Sequence, residues 1–115
     1  MNENIIWALF GDIREGKDEE FKIIMNEMIA AVSKEEGTIN YEWTLGEDNK
    51  SLHVYERYKN ANAARAHLLT WNQFASRFMN VVEIKNIVVY SDLPEDLKAG
   101  FYGATFMKPI GGFVR

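Results

Sequence analysis

The sequence predicts an α+β domain of the ferredoxin-like kind: a four-stranded antiparallel sheet with helices on one face. Three observations carry this prediction. The segments run strand, helix, two strands, helix, strand, which is the split βαβ order. Between residues 17 and 35, Phe21, Ile24, Met25, Met28, Ile29 and Val32 recur at helical spacing as one apolar stripe. From Thr38 to Tyr58, two alternating segments flank a polar turn, which makes a hairpin.

In chain order, IIWALF (Ile5 to Phe10) is apolar on both faces, as suits a central strand covered on both sides. GDIREGK reads as a turn. The first helix, from about Lys17 to Glu35, opens with Asp18, Glu19 and Glu20, acids that the helix dipole favours at that end. Gly37 follows its last turn as a stop. In TINYEWTL, Ile39, Tyr41, Trp43 and Leu45 point one way, and Thr38, Asn40, Glu42 and Thr44 the other. GEDNK turns the chain into SLHVYERY, where Leu52, Val54, Glu56 and Tyr58 share one face and His53, Tyr55 and Arg57 the other. NANAARAHLL starts a second helix with Asn60 or Asn62 as N-cap. Thr70 and Gln73 in TWNQ match a capping box, so the helix is expected to restart there and carry Phe74, Phe78 and Val81 or Val82. Glu83 to Asp92 reads as the last strand.

Residues 1–93 form the domain on this reading. Residues 94–115 form a C-terminal arm with Phe101, Tyr102, Phe106, Met107, Ile110 and Phe113, too apolar to be left in water. The arm is expected to pack on its own sheet or on a partner. The strands are apolar and aromatic on both faces while helices cover only one, so the bare face is expected to meet a second copy in a homodimer.

The chain has 115 residues, enough for one domain that buries roughly two-thirds of its unfolded surface. Its net charge of -4, without a basic stripe, argues against a nucleic-acid partner. It has no cysteine, which removes disulfides, thiolate metal sites and cysteine nucleophiles, and suits the cytoplasm. No apolar run approaches the roughly 20 residues of a membrane span, so no membrane partner is expected. MNENIIWALFGDI has neither the basic region nor the cleavage site of a signal peptide. Two histidines 14 positions apart make a poor metal site, and no phosphate loop or dinucleotide fingerprint is present, so no cofactor is expected.

Glu56 shares its strand face with two aliphatic residues, where a carboxylate is costly unless paired. His67 lies two turns into the following helix beside Ala63 and Ala64, on the small-residue stripe expected to face the sheet. A Glu56–His67 contact is therefore expected, either as a tie between helix and strand or as a working pair. Trp71 and Asn72 sit at the expected helix junction. Trp71 reads as a pocket wall or a hydrophobic staple, and Asn72 as an oxyanion donor or a solvated cap. Tyr41, Trp43, Tyr55, Tyr58 and Trp7 are candidates for an aromatic wall, though such residues equally fill cores and interfaces. Arg57 and Arg65 read as anion holders or plain surface residues.

EEGTINYEW followed by LHVYERYKNANAARAHLLTWNQF resembles the antibiotic biosynthesis monooxygenase domain over about residues 3–92. The pattern falls on Gly37, Tyr41, Glu56, Ala64, His67 and Phe74. The resemblance implies a dimeric α/β barrel with one pocket per subunit. It implies oxygenation of phenols or quinols by molecular oxygen without metal or flavin, the substrate supplying the electrons. Two departures stand out. Thr70 is followed by Trp71 and Asn72 where many members have Pro-His. The asparagine and late-helix histidine of the haem-degrading branch are missing.

The resemblance thus implies a cofactor-independent monooxygenase acting on a small aromatic phenol or quinol. His67 would be base or proton shuttle, Glu56 would orient it, and Asn72 would face a developing oxyanion. Trp71, Tyr41, Tyr58 and Phe74 would contact the substrate. The alternatives are a non-enzymatic dimeric ligand-binding or stress-associated barrel, and an isomerase or lyase using the same pocket.

Overall fold

The computed structural model describes residues 3–115; Met1 and Asn2 lie outside them. The elements are β1 (Ile5–Ile13), α1 (Asp18–Val32), β2 (Thr38–Leu45), β3 (Ser51–Tyr58), α2 (Ala61–Val81), β4 (Val82–Val89), α3 (Glu95–Lys98) and β5 (Thr105–Phe106). The sheet order is β2-β3-β1-β4-β5. The first four strands pair antiparallel, as the ferredoxin-like reading requires, and β5 adds a short parallel edge along Val88 and Val89. The result is an α+β domain with a mixed sheet and its long helices on one face.

The inner face follows the alternation of the strands. Leu52, Val54, Glu56 and Tyr58 are buried, while His53 and Tyr55 are exposed on the bare face. Trp7 and Leu9 of β1 join the inner layer, and Phe21, Ile24, Met28 and Val32 of α1 close over it. The bare face carries Phe10 against His53, with ring centroids 4.4 Å apart.

Several boundaries differ from expectation. β1 continues past Phe10 to Ile13, because a bulge at Phe10/Gly11 keeps Gly11, Asp12 and Ile13 paired to β4. The segment GDI is therefore strand, not turn. β4 begins at Val82, directly after the helix, and ends at Val89. Ile39 leaves the inner face because the β2–β3 register shifts between Thr38 and Asn40, and it is exposed. Leu45 at the strand end and Ile29 on α1 are exposed as well.

The largest correction concerns α2. It runs unbroken for 21 residues from Ala61 to Val81, with no restart at Thr70. Asn60 is the N-cap, accepting the Ala63 N–H at 2.9 Å. Ala64, His67, Trp71, Phe74 and Phe78 lie three or four residues apart on one face, so continuing the helix buries more apolar surface than capping at Thr70 would save. With no junction, Trp71 is not a staple and Asn72 is not a cap.

α1 ends at Val32, earlier than Glu35, and Ser33 to Glu35 form tight turns through Lys34 N–H to Ala31 and Glu35 N–H to Val32. This lifts Glu35 off the helix and turns its side chain towards the sheet. Gly37 then passes so close to α2 that a Cβ there would collide with the Ala63 Cβ, while its carbonyl accepts the Lys59 N–H at 2.8 Å.

The arm packs on its own subunit. Leu97 of α3 and Phe101 after it are buried, and Phe101 stacks obliquely on Trp7 with centroids 4.8 Å apart. Arg65 of α2 grips Asp96 through two hydrogen bonds of 2.7 and 2.9 Å. Beyond β5, Ile110, Phe113 and Val114 stand in water.

Candidate active site

Register places the site. Glu56 on β3 lies opposite Trp7 of β1 on one side and Tyr41 of β2 on the other. α2 crosses above and lowers His67 onto it: Nε2 stands 3.2 Å from Glu56 Oε1. The expected acid–imidazole contact is present. Both groups are buried, with side-chain exposures of 4% for His67 and 7% for Glu56.

A second acid was not foreseen. Glu35 Oε1 meets His67 Nδ1 at 3.1 Å and also accepts the Thr38 hydroxyl at 2.6 Å. On the other side, the Tyr58 hydroxyl donates to Glu56 Oε1 at 2.6 Å. The imidazole is thus clamped between two carboxylates, each carrying one hydroxyl donor. Sequence reasoning assigned Glu35 to the last turn of the first helix. The available signal was phase: Glu35 falls three residues after Val32, in line with the apolar stripe, where a carboxylate needs a partner.

Burial alone would pull the His67 pKa down, but Glu56 and then Glu35 outweigh it and hold the imidazole above its ordinary value. Burial, followed by the Glu56 and Glu35 charges, pushes the Tyr41 phenol up. Burial and Glu56 push Tyr58 up still more strongly, so both tyrosines are neutral hydroxyls. The two carboxylates approach opposite nitrogens of one ring and do not converge on a point. Among the described residues, no cluster of three or more acids and histidines is placed to hold a metal ion.

Beside this cluster lies a cavity of about 280 Å³, just below the roughly 300–1,000 Å³ usual for ligand pockets. Its wall includes Glu56, His67, Tyr41, Trp71 and Asn72. Trp7, Trp43, Leu68, Gly100 and Phe101 also line it, the last two contributed by the arm. Trp71 stacks edge-on to Phe78 at 5.4 Å. Among the described residues, Glu56 and His67 are the only ionisable groups on the wall besides the Tyr41 phenol.

Three aromatic candidates from the sequence lie off the cavity, and one of them, Tyr55, is exposed on the bare sheet face. Tyr58 is fully buried behind the wall, packed on Trp7 and His67 and hydrogen-bonded to Glu56. Phe74 packs on the core with Arg77 above its ring. Of the arginines, Arg65 is committed to Asp96, and Arg57 donates to Asn4 at 2.7 Å on the bare face. Among the described residues, no helix is long and apolar enough to cross a membrane.

Comparison with known proteins agrees with this architecture. MupZ from Pseudomonas fluorescens is 24% identical, covers 100% of this chain and 91% of its own, and superposes with a TM-score of 0.86. SnoaB, a cofactor-independent oxygenase from Streptomyces nogalater, is 12% identical over 80% of this chain and 95% of its own, with a TM-score of 0.67. A conserved protein from Methanosarcina mazei is 20% identical over 77% of this chain and 92% of its own, with a TM-score of 0.69. At these identities the likeness is one of fold. No curated protein sequence matches the chain. The profile of the antibiotic biosynthesis monooxygenase family matches residues 6–70, a stretch that holds Glu35, Glu56 and His67, and the chain belongs to that family.

Proposed function

We propose that the protein is a cofactor-independent monooxygenase acting on a small aromatic phenol or quinol. The observation that carries this reading is the contact of a clamped Glu56–His67 pair with an aromatic-walled cavity. A phenol and one oxygen molecule yield a quinone and one water, so the substrate supplies the electrons and no reductant is needed. The protein's tasks are to remove the phenolic proton, hold the ring, and accommodate the charge that develops on oxygen. Glu56 and His67 serve the first task, Trp71 and Tyr41 the second. Asn72, with its amide on the wall, serves the third. SnoaB, named as a cofactor-independent oxygenase, shares the fold and supports the reading by analogy.

The test is an oxygen electrode with 1,4-dihydroxynaphthalene as probe. Uptake above the enzyme-free rate, lost in His67→Ala, supports the proposal. Conversion of the probe without oxygen uptake sinks it in favour of an isomerase or lyase. That second reading is favoured by one feature, an imidazole held between two carboxylates, since this is equipment for proton transfer alone.

The working unit is proposed to be a homodimer. Phe10, His53 and Tyr55 lie on the bare sheet face, and Phe106, Ile110 and Phe113 of the arm are exposed. Sedimentation equilibrium at micromolar concentration measures this directly, and a 13.3 kDa species throughout would exclude it.

A further inference from the structure

The two ends of the His67 ring are built alike. At each, a carboxylate Oε1 stands 3.1 or 3.2 Å from a ring nitrogen and accepts a hydroxyl at 2.6 Å, from Thr38 at one end and Tyr58 at the other. They differ in what lies beyond. Glu56 lines the cavity; Glu35 does not, and its second oxygen is sealed in the interior.

This arrangement constrains the proton. A neutral imidazole has one N–H and one lone pair. With Nδ1–H donated to Glu35, the lone pair on Nε2 would face the Glu56 oxygen, acceptor against acceptor. A proton on Nε2 turns that repulsion into an ion pair. The ring then has no lone pair left and cannot act as a base. Glu56 Oε1 already faces two donors, whereas Oε2 accepts no hydrogen bond among the described residues and belongs to a residue on the cavity wall.

We infer that Glu35 is a positioning residue: it holds His67 as an imidazolium at neutral pH, so that Glu56, and not the imidazole, takes the proton from the substrate. This deepens the proposed function and rests on it for the identity of the acidic substrate. The proton passes from the phenolic oxygen to Glu56 Oε2, and the pair of electrons stays on the phenolic oxygen. The groups facing the ring are Glu35 from the turn after α1, Tyr41 from β2, and Glu56 and Tyr58 from β3; β1 adds Trp7, and neither β1 nor the arm contributes an ionisable residue to the cavity lining among the described residues.

The test combines imidazole nitrogen NMR of the ligand-free protein with pH profiles of turnover on 1,4-dihydroxynaphthalene. In the wild type, both His67 nitrogens are expected to be protonated at neutral pH. Turnover should fall as pH rises through the His67 midpoint, whereas an imidazole base would make it rise. In Glu35→Gln, which keeps the acceptor but not the charge, the midpoint should drop by about one unit or more and carry the falling limb with it. A single protonated nitrogen in the wild type, an unmoved midpoint in a folded Glu35→Gln, or turnover that climbs through the midpoint overturns the inference. If Glu35→Gln does not fold, the wild-type shifts and profile decide alone. If the probe draws no oxygen, the proposed oxygenation fails while the nitrogen shifts still judge Glu35.

Discussion

The layer between sheet and helices has two halves made from the same strands. One, around Leu9, Ile13, Phe21, Ile24, Leu52 and Val82, has an apolar core with Tyr41 and Trp43 packed against it. The other, around Ile5, Trp7, Tyr58, Ala64 and Phe101, also holds the Glu35–His67–Glu56 cluster. The cavity lies on the seam, taking Leu9, Val54 and Phe78 from the first half and Trp7 and Phe101 from the second. A uniformly apolar layer would bury the same area without two carboxylates and an imidazole that each cost desolvation. The difference assigns stability to the first half and chemistry to the second.

The sharpest way to break that assignment is Glu56→Gln. If the second half works chemically, steady-state turnover of the probe falls about 10²–10⁴-fold, the range of general acid–base groups, while the thermal midpoint moves only a few degrees. A large loss of stability with turnover retained in the folded fraction would make the cluster a structural tie. The mirror experiment is Leu52→Ala in the first half. Leu52 is 1% exposed and does not line the cavity. Denaturant unfolding should show a loss of about 2–5 kcal/mol, a large share of the roughly 5–15 kcal/mol that holds a domain together. Turnover of the folded enzyme should stay unchanged.

Gly37→Ala sharpens the boundary between the halves. The added methyl meets the Ala63 Cβ where the chain enters β2 under α2. Overpacking of this kind costs about 1–3 kcal/mol. Because Gly37 lies between Glu35 and Tyr41, the backbone shift should also weaken turnover, so a drop in both readouts is expected where Glu56→Gln and Leu52→Ala each move one.

What could be read from the sequence divides along physical lines. Alternation with a period of two fixes which strand residues share a face, and it put Leu52, Val54, Glu56 and Tyr58 inward correctly. The alanine stripe beside His67 located the inner face of α2, so the Glu56–His67 contact was legible. Local capping rules misread TWNQ, since Thr70 is a helix-interior residue whose neighbours Trp71, Phe74 and Phe78 gain more from burial than a cap supplies. Periodicity cannot see a bulge, so Ile39 was given to the wrong face. Glu35 was missed because its role depends on where α1 ends, a matter of a few residues that propensity does not resolve. The arm's contribution to the cavity, through Gly100 and Phe101, depends on chain reversal after α3 and has no local signature.

The smallest expected effect is a tilt of stability with pH, and it separates the halves without any substrate. The folded-state pKa of His67 lies above its unfolded value of roughly 6.5. A group raised in this way binds its proton more tightly when folded, so its contribution is complete below the unfolded value and is lost as pH rises through the folded one. Chemical denaturation of the wild type should therefore show stability declining from about pH 6.5 upwards. His67→Gln removes the titrating group and should flatten that slope, although the variant is less stable at every pH because two acids lose their cation. Leu52→Ala, in the dry half, should lower the whole curve and leave its slope intact. If the slope survives in His67→Gln, the proton responsible belongs elsewhere, and the clamped imidazole is not the charge that distinguishes one half of this layer from the other.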